Sequence, residues 1–235
     1  MYRALKLFTT EFLDLLAPRA CRVCGNRLTG TEETVCTSCY LHLPRTGFSL
    51  QPYDNIMARL LWGHINVERV AALYYHESQA ETANIIYSLK YKGHKETGML
   101  MGRMMASELQ PSGFFEGIDA IVPVPLARKR QRQRGYNQSY EIARGISRIT
   151  GLPIYNKVVR RTTFHKSQTT MGRHDRQRNV EGVFELTDAE AVSGCHLLVV
   201  DDVMTTGATI AACAKALTKA DGVRISVLTL AFTKS

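Results

Sequence analysis

Tryptophan, proline and long apolar runs are scarce in this sequence. One Trp and 7 Pro occur in 235 residues, and Asp+Glu fall short of Lys+Arg, 21 against 30. No stretch approaches the roughly 20 consecutive apolar residues that a membrane-spanning helix needs. The chain has no internal repeat at 20–50 residues and no low-complexity segment, which argues against a solenoid. A composition of 45% hydrophobic and 22% charged residues excludes collagen and disorder as descriptions of the whole chain. The acid deficit leaves a net charge of +9. That balance favours an anionic partner such as phosphates, nucleic acid or an acidic membrane face; the alternative is a merely cationic, soluble surface. The N-terminal stretch is not expected to be a secretory leader. Glu11 and Asp14 interrupt the N-terminal apolar stretch, and no small-residue cleavage site follows. Leu5, Phe8, Phe12, Leu15 and Leu16 instead predict a short amphipathic helix packed on its own protein. A cytoplasmic location with reduced thiols is the expectation.

Six cysteines are present, and four of them form a pattern. Cys21 and Cys24 make one CxxC, Cys36 and Cys39 another, with eleven residues between. Each CxxC turn presents two thiolates to one ion, and two such turns complete a tetrahedron, so the spacing predicts structural zinc. Disulfides and a redox CxxC are the alternatives. With all four positions filled by protein, the metal is not expected to be catalytic. His42 reads as a bystander, and Cys195 and Cys213 as small apolar residues.

Residues 1–45 read as a helix plus this knuckle, and residues 46–235 as a second unit. The stretch 46–69 shows little periodicity. Strands are predicted at 70–75, 118–124, near 154–159, and at 183–186, 197–200 and 225–232. Helices are predicted at 78–90, 95–109, 137–150 and 207–220. The first of these places Ala83, Ile86, Tyr87 and Leu89 on one broad face. The methionines of the second read as core. Strand–helix alternation predicts an α/β fold with a parallel sheet.

The most informative stretch runs from Leu197 to Thr209. Four apolar residues lead to Asp201 and Asp202, at the strand end where open α/β sheets bind ligands. Met204, Thr205, Thr206, Gly207, Ala208 and Thr209 then open a helix. Such a turn aims several backbone N–H groups at one phosphate, aided by the helix dipole. It is not a Walker A loop, because no Gly-Lys-Ser/Thr follows. Phosphate in the turn and sugar hydroxyls on the acids would suit a ribose 5-phosphate.

This segment resembles the phosphoribosyl pyrophosphate signature of type I phosphoribosyltransferases. In those proteins a loop after an earlier strand holds pyrophosphate, and Pro123, Val124 and Pro125, followed by Arg128, occupy that place. A flexible loop closes over the site, and residues 161–179, with Arg173 and Arg176, stand there. Further matches narrow the resemblance: Arg134 to Ser139, Ser167-Gln168-Thr169, Arg176 with Asn179, Val180 and Phe184, and Leu89 to Gly93. Together with the four cysteines they are similar to the ComF family, which joins a zinc module to a phosphoribosyltransferase-like domain. Tyr136, where Phe is common, and Met204 are small departures that remove no polar group. The resemblance implies a parallel sheet with flanking helices and binding of phosphoribosyl pyrophosphate with Mg²⁺. It implies transfer of the phosphoribosyl group, with Asp201 and Asp202 as catalytic residues. It also links the chain to natural competence, the cytoplasmic handling of imported single-stranded DNA.

Residues 128–178 hold fourteen Lys and Arg against two acids, so the rest of the chain sums to −3. This local excess exceeds what one small ligand can contact and could attract a nucleic-acid backbone. Tyr136, Tyr140 and Phe164 are candidate stacking faces. Two functions therefore stand: an enzyme, or a non-catalytic adaptor for single-stranded DNA, with competence or helicase proteins as partners, that uses the same pocket as a ligand sensor. The knuckle itself is a poor DNA reader, since Arg22 and Arg27 are offset by Glu32 and Glu33.

Overall fold

Burial of one apolar face per element dictates the architecture. The computed structural model describes residues 19–30, 32–91, 93–162 and 182–233. The predicted N-terminal helix therefore lies outside the described residues, as do Phe164, Arg173 and Arg176. In chain order the elements begin with α1 (Thr37–Leu41), α2 (Ile56–Trp62), β1 (Val70–Tyr75), α3 (Ala83–Tyr91), α4 (Lys95–Leu109) and β2 (Ala120–Pro123). They continue with α5 (Arg128–Arg134), α6 (Gln138–Thr150), β3 (Val159–Arg161), β4 (Phe184–Leu186), β5 (His196–Met204), α7 (Ala208–Leu217) and β6 (Arg224–Phe232).

The main sheet has four strands in the order β1–β6–β5–β2, all parallel. Val199 of β5 stands between Val122 of β2 and Val227 of β6, and all three are fully buried. Such unbroken apolar strands are what a sheet covered on both faces requires. β3 and β4 form a separate antiparallel hairpin.

Helices α4 and α6 pack against each other through glycines. A Cβ on Gly102 would lie 2.1 Å from the Ile142 carbonyl oxygen, and one on Gly145 would lie 2.0 Å from that of Met99. Neither position has room for a side chain. Met101 and Met105 are buried as core residues. The Asn137 side chain caps α6 by accepting from the Ser139 N–H at 3.1 Å.

Four elements depart from the sequence expectation. The 46–69 stretch contains α2, capped by Asn55 and burying Met57, Ala58 and Leu61. Helix α3 starts at Ala83 rather than Ser78, because turns occupy 78–82. The strand expected near 154–159 reduces to a single bridge from Ile154 to Ile121, and the paired residues are Val159–Arg161. The segment after Pro125 is not a loop throughout: Arg128–Arg134 is helical and buries no residue. Its Arg, Lys and Gln are good helix formers, and Gly135 ends it at φ 76°.

The cysteine-bearing segment is tied to this framework by polar contacts. Arg45 makes two 2.8 Å bonds to Glu108 on α4, and Asn84 of α3 donates to the Val23 carbonyl at 3.0 Å.

Candidate functional site

β5 runs farther than its apolar residues alone predict. It continues through the acids, with Asp201 opposite Thr229 and Met204 opposite Phe232 of β6. Asp201 and Asp202 are thus strand residues with fixed backbones, and their surroundings differ. Asp201 Oδ1 accepts from the Ser139 hydroxyl at 2.8 Å and from the Asp202 N–H at 2.9 Å. Burial, and then the neighbouring Asp202 charge, push the Asp201 carboxyl up to about 7 against those bonds and the Lys90 charge. Asp202 faces Lys90, whose ammonium lies 3.3 Å from Oδ2. Arg161 on β3 feels the Asp201 charge, while burial and Arg130 lower its own pKa.

The threonine turn follows directly. Met204 is buried, whereas Thr205, Thr206, Ala208 and Thr209 are exposed. Gly207 adopts φ 77° at the N-cap of α7. The backbone angle favours glycine, and a Cβ there would lie 2.8 Å from Leu61 Cδ2 and 2.9 Å from Met204 Cε, so those side-chain ends would have to shift. The result is an open, hydroxyl-bearing turn at the amino end of a ten-residue helix.

Pro123 pairs with Val200, one residue before Asp201. The Val124 N–H donates to the Val200 carbonyl at 2.9 Å, and Asn137 Nδ2 donates to the Val124 carbonyl at 3.0 Å. Pro125 is half-buried, and Arg128 opens α5 in solvent. The structure thus brings the 123–125 segment beside the acid-bearing strand.

Several residues around the acids escaped the sequence reading. Lys90 stood inside the Leu89–Gly93 match and Ser139 inside the Arg134–Ser139 match, neither with a role toward the acids. Tyr74 and His76 gave no signal, and Arg161 was read only as the first residue of the 161–179 loop, whereas it lies on β3. Tyr74 Oη and His76 Nδ1 are buried without a hydrogen-bond partner, as are Gln138 Nε2 and Thr233 Oγ1. Burial and the Asp202 charge raise the Tyr74 phenol; burial and the Lys90 charge lower the His76 imidazole, against Asp202. Orphaned polar groups beside an acid pair are what a polar ligand would satisfy.

The stacking faces need correction. Tyr136 is buried, and its hydroxyl donates to the Leu89 carbonyl, so it offers no ring to a ligand. Tyr140 is half-buried. Tyr87 does not join the buried face of α3 but is 52% exposed.

The four cysteines converge. The Sγ atoms of Cys21, Cys24, Cys36 and Cys39 all lie within 4.8 Å of one another, with Cys24 and Cys36 at 3.9 Å. Tetrahedral Zn–S bonds of about 2.3 Å imply S···S spacings near 3.8 Å. The Cys36 and Val23 N–H groups donate to Cys21 Sγ at 3.3 and 3.4 Å. Burial raises the Cys21 thiol, but N–H donors outweigh it and lower it to about 7. This cluster can hold one metal ion. His42 is exposed and its ring meets the Ser38 carbonyl, away from the cluster.

Known proteins can be set beside this geometry. No family model matches the chain. DNA utilization protein YhgH of Escherichia coli K12 is 30% identical over 224 residues, covering 91% of this chain and 90% of that protein. Competence protein F of Haemophilus influenzae is 35% identical over 114 residues, 48% of this chain and 50% of that one. Competence protein ComFC of Bacillus subtilis is 29% identical over 111 residues, 47% and 41% respectively. Among solved structures, glutamine phosphoribosylpyrophosphate amidotransferase from B. subtilis aligns at a TM-score of 0.38 and 19% identity, over 55% of this chain and 25% of that one. No helix of the described residues is long and apolar enough to cross a membrane. With a relative matched at 30% identity across nine-tenths of both chains, and the four cysteines gathered as the sequence pattern requires, the chain belongs to the ComF family.

Proposed function

We propose that this protein binds phosphoribosyl pyrophosphate with Mg²⁺ at the carboxyl ends of β2 and β5 and transfers the phosphoribosyl group to an acceptor, releasing pyrophosphate. One observation carries this reading: a half-buried acid pair runs directly into a Thr-Thr-Gly-Ala-Thr turn, exposed at Thr205, Thr206, Ala208 and Thr209, at the amino end of α7. The turn's N–H groups and hydroxyls suit the 5-phosphate. The acids suit the ribose hydroxyls. Pro123, Val124, Pro125 and Arg128, with Arg173 and Arg176, suit the pyrophosphate. The names of the relatives, DNA utilization and competence, support a place in DNA handling, which would be in the cytoplasm.

In the transfer, the bond from ribose C1 to the pyrophosphate oxygen breaks. A bond from C1 to the acceptor forms, and the acceptor loses its proton. The ring carbon gains positive charge as the leaving group departs. Asp202, tied to Lys90, and Asp201, tied to Ser139, hold the sugar and offset that charge. Mg²⁺ would neutralise the pyrophosphate oxygens. Both carboxylates already have protein partners, and among the described residues the cysteines are the one cluster of three or more metal-ligating groups. That donor set fits an ion that arrives with the ligand rather than one caged by protein. The cysteine cluster would hold zinc as a closed structural site. Pyrophosphate release from the ligand, in the presence of Mg²⁺ and candidate acceptors, tests the reading. Release that Asp201→Asn or Asp202→Asn abolishes supports it, and no release with any acceptor favours the alternative.

That alternative is a non-catalytic adaptor for single-stranded DNA that senses the same ligand, working with competence or helicase proteins. α5 supports it: five of its seven residues are Arg or Lys, and none is buried.

A further inference from the structure

Buried polar atoms without partners gather at one end of the main sheet. Among the described residues five side-chain atoms are in that state. Four of them, on Tyr74, His76, Gln138 and Thr233, stand where the strands end beside the acid pair, so chance scatter does not explain them. The backbone fixes this row. Tyr75, Phe232 and Met204 are in register across β1, β6 and β5. One residue further, the His76 N–H donates to the Phe232 carbonyl at 2.8 Å and the Thr233 N–H to the Met204 carbonyl at 3.0 Å. His76 and Thr233 therefore lie level with Thr205, which opens the threonine turn.

His76 is half-buried with its Nδ1 fully covered, so Nε2 is the ring nitrogen that a ligand can reach. The charges that face the ring are Lys90 on α3 and Asp202 on β5. Burial and the Lys90 ammonium favour the neutral imidazole, against Asp202. A neutral imidazole with one open nitrogen is a proton acceptor. The transfer proposed above has a proton with no destination, the one that the acceptor loses. The neighbouring groups are committed: Asp201 accepts from Ser139, and Asp202 is paired with Lys90. The phosphate turn follows β5 and the 123–125 segment ends β2, so the β6–β1 side of the sheet is the side left for an acceptor.

We propose that the carboxyl end of β1 and β6 is the acceptor subsite and that His76 Nε2 takes the acceptor's proton, with Thr233 beside it. The acceptor class is a neutral molecule whose nucleophilic nitrogen or oxygen carries a proton, since an anion would need no base. The C1–oxygen bond to pyrophosphate breaks and its electron pair leaves with the pyrophosphate. The acceptor's lone pair forms the new bond to C1, and its proton passes to Nε2, giving an imidazolium that Asp202 faces. This assignment rests on the phosphoribosyl reading above.

The test measures pyrophosphate release by the full chain from phosphoribosyl pyrophosphate and Mg²⁺, with water and with hydroxylamine as acceptors. His76→Gln is expected to lower kcat about a hundredfold or more, the lower end of what a general base contributes, with phosphoribosyl pyrophosphate affinity retained. In the parent, kcat should rise with pH below the ordinary histidine value of 6.5 and then level off, as the imidazole loses its proton. Asp201 also titrates, so the limb is assigned by its loss in His76→Gln. Added imidazole should restore release to His76→Ala, which a merely structural role would not allow. Release with hydroxylamine above that with water identifies a nitrogen acceptor, and equal release an oxygen one. Unchanged melting temperatures separate the loss from misfolding. Calorimetry on the same preparations separates the two failures. A parent that does not bind phosphoribosyl pyrophosphate overturns the phosphoribosyl reading and this proposal with it. A parent that binds it, but releases no pyrophosphate or releases it equally well in His76→Gln, overturns the role of His76 alone.

Discussion

The acid end of β5 and the basic helix α5 are both polar, and they are built on opposite principles. Around the acids nearly every charge is committed: Asp201 to Ser139, Asp202 to Lys90, and both to backbone N–H groups of their own strand. The turn that follows holds Gly207 at a left-handed φ of 77°, where a side chain is strained. α5, by contrast, carries five cations in seven residues and buries none of them. A site held by the fold fixes where a ligand's atoms must lie. Cations that the fold leaves in solvent, such as Arg128, Lys129 and Arg130, can be replaced at little cost to stability. The first arrangement suits a small ligand of defined shape, the second a backbone of repeated phosphates.

The strongest way to break this comparison is to remove the acids. Asp201→Asn/Asp202→Asn should weaken phosphoribosyl pyrophosphate binding by about a hundredfold or more, since each lost charge-assisted bond costs roughly 1.5–3 kcal/mol. Oligonucleotide affinity should stay within a factor of about two or rise slightly, as negative charge is removed. Equal losses of both ligands, measured by titration on one preparation, would mean that the two regions are a single site.

Gly207→Ala comes next. A left-handed backbone angle costs about 1–2 kcal/mol for a residue with a Cβ, and the contacts with Leu61 and Met204 add to it. A fall in melting temperature of several degrees, with loss of phosphoribosyl pyrophosphate binding, is the expected result. Replacing Arg128, Lys129 and Arg130 by Ala sharpens the other side. The slope of log affinity for single-stranded DNA against log salt should drop by about 2, from three contacts at roughly 0.7 each. The melting temperature should not move, because α5 buries nothing.

The smallest effect is on pH dependence. Asp201 has its carboxyl raised to about 7 in the folded protein. Between its ordinary value near 4 and that value, the native state binds more protons than the unfolded one, so this group makes stability fall as pH rises through that window. Asp201→Asn should flatten the decline in melting temperature between about pH 4 and pH 7, and an unchanged profile would mean that Asp201 ionises normally.

These regions also show which parts of the molecule could be read from sequence. The cysteine spacing and the Asp-Asp-Val-Met-Thr-Thr-Gly-Ala-Thr run were legible because each is contiguous and its chemistry needs those residue types in that order. The sheet was legible because each strand carries a buried apolar run, such as Leu197–Val200 in β5. The rest depended on contacts distant in sequence. Ser139 meets an acid 62 residues away, and Tyr136 gives its hydroxyl to a carbonyl 47 residues away. No local pattern reports such pairings. α5 was read as a loop because a helix polar on every side has no apolar period to detect. Tyr87 was placed with the apolar face because its residue type, and not its environment, was all the sequence offered.

The account rests on the acid pair and threonine turn at the end of β5, and calorimetric titration of phosphoribosyl pyrophosphate with Mg²⁺ into the metal-loaded full chain tests it most directly. Saturable binding, lost in Asp201→Asn/Asp202→Asn while the cysteine-bound metal is retained, is the predicted result. No heat of binding from a folded, metal-loaded protein would contradict the phosphoribosyl reading and leave the nucleic-acid adaptor as the function the structure supports.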